Sequence, residues 1–120
     1  MSPLERFKFQ DEHMSRIKRM YYNKSYQCKK AGIKFELDIN WYLDAITDKC
    51  ALTGMEFDLE LGNGRTPFGP SVDRIDSNRE YSVDNCRMII YGLNAMKGIG
   101  SDKDLYIIAQ QLLAHKEGLV

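Results

Sequence analysis

The stretch SVDRIDSNREYSVDN, from Ser71 to Asn85, concentrates side chains that do chemistry. Asp73, Asp76, Asn78, Glu80 and Asn85 carry hard oxygen donors, the kind that Mg2+, Mn2+ and Ca2+ take. Arg74 carries a planar fork suited to a phosphate. Further on, Asn94 and Lys97 place an amide and an ammonium about one helical turn apart. A calcium loop begun at Asp76 fails at both decisive positions. Tyr81 stands sixth, where the turn demands glycine, and Arg87 stands twelfth, where a bidentate Glu is needed. A Mg2+-type site asks for less: one or two protein oxygens, with water and substrate phosphate completing the shell. Asp73 on a strand and Asn94 on a neighbouring helix would suffice. A plainer reading also stands. Asp73 would end a strand, Arg74 would pair with Asp76 or Glu80, and Asn85 would satisfy backbone groups in a turn.

These residues need elements to hold them. SVDRI alternates and predicts a short strand, DSNREYSVDN a connecting loop, and CRMIIYGL a strand or a helix. LNAMKG suits a helix closed by Gly98. Upstream, residues 11–31 read as a helix with Met14, Ile17, Tyr21 and Cys28 on one face and Lys/Arg over much of the rest. Gly32 would stop it, and IKFEL would be extended. Asp38 would cap a second helix with Trp41, Tyr42, Ala45 and Ile46 buried and the Trp as core anchor. CALTGMEF predicts a turn into a short strand, and LGNGRTPFGP a loop. Ser101 with Asp104 resembles a capping box opening a last helix, residues 102–116, with Leu105, Ile108, Leu112 and Leu113 inward.

The whole chain, 120 residues with 43% hydrophobic content, is the size of one domain with one modest core. No run of about 18 apolar residues offers a membrane span. The start, MSPLERFKFQDEH, lacks the apolar stretch of a secretory signal. The expectation is a soluble cytoplasmic protein. Cys28, Cys50 and Cys86 form no CxxC pair, and His13 and His115 stand apart, so no structural zinc is expected. Net charge is zero, but it is unevenly spread. Met1 to Lys34 holds nine Lys/Arg against three Asp/Glu, and Phe35 to Gly64 one against seven. The basic block, with Arg16, Lys18, Arg19 and Lys24, would supply phosphate contacts or serve only as a solvated helix face.

KCALTGMEF followed by PFGPSVDRIDSNREYSVDNCRMIIYGLNAMKG resembles the HNH endonuclease superfamily (ββα-metal, or His-Me finger). More narrowly, it is similar to small phage-encoded HNH-like proteins with an S-x-D-R-I-D core. CKKAGIKFELDINWYLDAI resembles their upstream part, so the likeness covers roughly residues 24–98. It implies an α+β fold: a small ββα-metal hairpin-helix core, residues 50–98, with flanking helices on both sides, in 1–49 and 99–120. It implies that Asp73 and Asn94 hold one divalent ion, Mg2+ or Mn2+, that Asn85 pins the hairpin loop, and that Lys97 touches a phosphate.

Two positions depart from the pattern. The usual general-base His is Arg74, and a usual turn Gly is Glu80. Arginine cannot accept a proton from water. Either the metal acidifies water unaided, or Asp76 or Glu80 serves as base, or the chain does not cut and Arg74 grips a phosphate. His13 and His115, in other helices, are not expected at the site. The resemblance therefore implies a divalent-metal-dependent DNA endonuclease. The alternative is a catalytically degenerate module of the same fold that binds nucleic acid or a host or phage protein.

Overall fold

The computed structural model describes residues 11–60, 66–98 and 100–118. Its elements run α1 (Asp11–Ala31), α2 (Ile39–Thr47), β1 (Pro70–Arg74), β2 (Cys86–Ile90), α3 (Tyr91–Lys97) and α4 (Asp102–Lys116). β1 and β2 pair antiparallel, with Val72 opposite Met88 and Asp73 opposite Arg87. The architecture is α+β, a two-stranded hairpin with helices around it.

α1 forms where the periodicity predicts. Ile17 and Cys28 are buried, and Met14, Met20 and Tyr21 pack half-buried beside them. Gly32, at φ 73°, lets the chain turn back, and the Ile33 amide donates to the Cys28 carbonyl at 2.8 Å. The segment after it is extended. It makes one parallel bridge, Phe35 to Tyr81, through Tyr81 N to Lys34 O (3.0 Å) and Glu36 N to Tyr81 O (2.7 Å). That bridge ties the hairpin loop to the helical half. Asp38 caps α2 by accepting from the Trp41 amide at 2.8 Å. Tyr42, Leu43 and Ile46 bury, and Tyr42 packs edge-on against Tyr21 with ring centroids 5.4 Å apart. Trp41 is only half-buried. The anchor of this core is Tyr42, at 1% exposure, rather than the expected Trp.

CALTGMEF makes the expected turn, closed by Gly54 N to Cys50 O at 2.9 Å. The short strand expected after it does not form among the described residues, and part of LGNGRTPFGP lies outside them. CRMIIYGL resolves into both options at once, β2 and then α3 with no residue between. Its alternation is obscured because both faces of β2 are covered. Met88 joins the core of α1 and α2, while Ile89 and Ile90 join Cys50 in a second cluster. α3 starts against the Pro67 loop: Tyr91 N donates to Gly69 O (2.7 Å) and Gly92 N to Pro67 O (2.8 Å). A Cβ at Gly92 would lie 3.2 Å from Pro67, a tight contact that would push the Pro67 loop back by a few tenths of an ångström.

The Ser101–Asp104 capping box opens α4 as expected. Its inward face is a correction. Leu105 alone of the four expected core residues is buried, whereas Ile108, Leu112 and Leu113 are 45%, 67% and 55% exposed. α4 meets the domain through its first turn only, and nothing among the described residues covers the rest of that face. No helix is long and apolar enough to cross a membrane among the described residues.

Candidate active site

β1 carries Asp73 inward, where it is 4% exposed. A carboxylate so deep needs partners, and it has two cations. Lys97, one of the last residues of α3, puts Nζ 3.0 Å from both carboxylate oxygens. Arg87, the cross-strand neighbour on β2, donates Nε to Oδ2 at 2.9 Å. Arg87 also grips Oδ1 of Asp102 at the start of α4, and Lys97 lies 3.8 Å from that same oxygen. Two acids and two bases thus alternate across β1, β2, α3 and α4. The hydrogen bond from Arg87 holds the Asp102 carboxyl below its usual range and raises the guanidinium in turn.

Asn94 reaches back from α3 to β1. Its amide nitrogen donates to Ser71 Oγ (2.7 Å) and to the Val72 carbonyl (3.0 Å). Both amide hydrogens are then used, and Oδ1 is left as an unpartnered acceptor among the described residues. Asn85, 2% exposed, pins the loop from both sides. It accepts from Asp76 N (2.9 Å) and donates to the carbonyls of Asp76 (3.0 Å) and Glu80 (2.9 Å). Arg74 pairs with neither Asp76 nor Glu80. It donates to the Arg79 carbonyl at 2.8 Å and lies 4.5 Å over the Tyr81 ring.

Asp73, Arg74, Asn94 and Lys97 line one pocket of about 200 Å³, together with Lys24 and Tyr81. A groove of about 340 Å³ adjoins it and shares Lys24 and Val72 with it. Arg16, Arg19, Asn23 and Gln27 of α1 line the groove opposite Ser71 and Tyr91. Arg16 is braced there by its bond to the Glu60 carbonyl at 2.8 Å. Lys18 lines neither cavity and is exposed.

Asp76 and Glu80 line neither cavity. Asp76 accepts from Asn78 N, and Glu80 is bonded to Arg79 and Ser82. A hydrogen bond from its own backbone amide, then those from Arg79 and Ser82, hold the Glu80 carboxyl below its usual range, which makes it a poor base. His13 faces Glu60 at 3.6 Å, and His115 sits exposed at the far end of α4.

Sequence reasoning did not single out Arg87 or Asp102. Arg87 opposes Asp73 only through the hairpin register, and nothing in the spacing of the two strands states that register. For a divalent cation, the donors are the Asp73 carboxylate and the free Asn94 Oδ1, which border one pocket. Among the described residues no group of three or more His, Cys, Asp or Glu gathers. Two hard oxygens, with water and phosphate for the rest, fit an ion of the Mg2+ class. The ion would replace Lys97 on the carboxylate, since the ammonium now bridges both oxygens.

No family model matches this sequence, and no curated protein does. Among solved structures, that of the rare-cutting HNH restriction endonuclease PacI superposes with a TM-score of 0.58 at 21% identity. The alignment covers 87% of this chain and 82% of that one. The fold is the HNH fold. In that frame β1, β2 and α3 are the hairpin and helix of the core, and α1, α2 and α4 are its flanks.

Proposed function

We propose that this chain is an HNH-type endonuclease that hydrolyses phosphodiester bonds in DNA with a divalent ion, Mg2+ or Mn2+. The supporting observation is the convergence of Asp73, Asn94, Arg74 and Lys97 on one pocket that shares Lys24 and Val72 with a groove lined by Arg16 and Arg19. Asp73 and Asn94 hold the ion, which when bound polarises the phosphate and lowers the pKa of water. Arg74 neutralises charge developing on the phosphoryl oxygens and takes no proton. Lys97, released from Asp73, is free to meet a non-bridging oxygen. Asn85 keeps the loop shape that aims Arg74. The groove residues of α1 track the strand. The phage origin suggested by the S-x-D-R-I-D core, and a place of action in the cytoplasm, belong to this reading.

One observation favours a second reading. Asp73 is already neutralised by Lys97 and Arg87, and among the described residues no base other than Asp73 borders the pocket. A module with that interior binds DNA or a host or phage protein without cutting it.

Supercoiled plasmid, incubated with the chain and Mg2+ or Mn2+, separates the two. Nicking abolished by EDTA and by Asp73→Asn establishes the enzyme. The Asn variant is chosen because it keeps a side-chain oxygen facing the buried Lys97 ammonium, whereas Asp73→Ala would remove both oxygens that the ammonium bridges, a loss of about 3–5 kcal/mol. Intact plasmid with the folded wild type moves the assignment to the binding module.

A further inference from the structure

Lys97 sits between two carboxylates, and its side chain is only 7% exposed. Nζ lies 3.0 Å from both oxygens of Asp73, 3.3 Å from the Arg74 carbonyl and 3.8 Å from Oδ1 of Asp102. A divalent ion on Asp73 must displace this ammonium from the carboxylate. A buried cation that loses its carboxylate is strongly disfavoured, so the ion binds only as well as the ammonium is received elsewhere. The Arg74 carbonyl is neutral and offers one weaker bond.

We propose that Asp102 is a positioning residue for the metal site: it takes over the Lys97 ammonium when Asp73 turns to the ion. Three features suit Asp102 to this part. It is close, since a shift of about 1 Å brings Nζ to the length of a charge-assisted hydrogen bond. It has room, since a carboxylate offers about four lone-pair sites and Arg87 takes one of them at Oδ1. It is held in place by Arg87 from β2 and by its position just after the Ser101 cap of α4, while its side chain, 35% exposed, keeps part of its hydration. Charge stays matched through the exchange. Before it, Asp73 faces Lys97 and Arg87, and Asp102 faces Arg87. After it, Asp73 faces the ion and Arg87, and Asp102 faces Arg87 and Lys97. An ammonium has three donors, so Lys97 held by Asp102 and the Arg74 carbonyl keeps one for a phosphate oxygen. The proposal rests on the reading that Asp73 holds a divalent ion.

Mn2+ binding without DNA tests it, read from the electron paramagnetic resonance signal of the free ion as the full chain is titrated. The binding counted is the part that Asp73→Asn abolishes. Asp102→Asn keeps the shape and an acceptor oxygen for Arg87 but not the charge, and circular dichroism checks its fold. It should weaken Mn2+ binding at least ~10-fold. In a Lys97→Met background, where no ammonium has to move, the same substitution should change the affinity little. Asp102→Glu, which keeps the charge, should bind Mn2+ much as the wild type does. A purely structural Asp102 would weaken binding equally with and without Lys97, and that result overturns the proposal. So does an Asp102→Glu form no better than Asp102→Asn. Mn2+ affinity untouched by Asp102→Asn overturns it as well, and leaves the metal-dependent reading standing. A folded wild type with no Asp73-dependent Mn2+ binding overturns both.

Discussion

Arg74 occupies the position where the HNH resemblance expects a general base, and its geometry is that of a held cation. Its guanidinium is fixed by the Arg79 carbonyl and the Tyr81 ring while the side chain still borders the pocket. If the chain is a nuclease, Arg74→His supplies the missing base. Plasmid nicking should then rise, by up to about 10²–10⁴-fold if the imidazole reaches the attacking water. A rate that falls instead would mean that phosphate neutralisation by Arg74 outweighs a base. Lys97 carries a second prediction. On the proposed reading its ammonium would compete with the divalent ion for Asp73. Lys97→Met should destabilise the protein by about 2–4 kcal/mol, the scale of a lost buried charge partner. Mn2+ should then raise the melting temperature of the variant more than that of the wild type, because an ion that binds only the folded state stabilises it by mass action. Equal shifts in calorimetry would show that Lys97 and the ion do not share a place.

The elements hold two stresses with opposite consequences. Tyr42 of α2 anchors the larger core, yet its hydroxyl is buried with no hydrogen-bond partner among the described residues. Burial also pushes its pKa up, away from ionisation. An unsatisfied buried hydroxyl costs about 1–3 kcal/mol. Tyr42→Phe should therefore leave stability unchanged or raise it, as read by denaturant midpoint. At the joint of α4 and β2, the hydrogen bond from Arg87 holds the Asp102 carboxyl below the ordinary aspartate range. A depressed carboxyl contributes stability above its unfolded pKa and loses it as pH falls through the folded value. Wild-type melting temperature should thus fall below about pH 4 more steeply than that of Asp102→Asn. The elements themselves were largely legible: α1, the Asp38 and Ser101 caps and β1 follow from periodicity and cap chemistry. What links them was not. The Asp73–Arg87 pair depends on hairpin register, and whether the α4 stripe faces the core depends on where the chain leads that helix. Neither fact is local. The same non-locality explains why Asp73, Asn94 and Asn85 could be named from a motif, while Arg87 and Asp102 could not.

At the scale of the whole molecule, the placement of charge rather than its sum decides what the surface can meet. The formal net charge is zero, so a field spread over the entire surface cannot draw in a polyanion. Among the described residues, the groove gathers positive charge, with Arg16, Arg19 and Lys24 lining it or the pocket and Lys18 standing away from both. Each phosphate neutralised releases counterions, and the logarithm of affinity falls with the logarithm of salt by about 0.9 per contact on duplex DNA. On the proposed DNA-cutting reading, Arg19→Ala and Lys24→Ala should each weaken DNA binding and flatten that slope by about 0.9. Lys18→Ala, with a side chain of the same charge on the same helix, should change the slope little. The comparison isolates position from charge, since all three variants shift the net charge equally. Fluorescence anisotropy on labelled duplex across a salt series gives the slopes. Three equal slopes would mean that α1 acts as a diffuse basic face. Slopes altered only by Arg19 and Lys24 would trace the DNA strand along the groove toward Asp73.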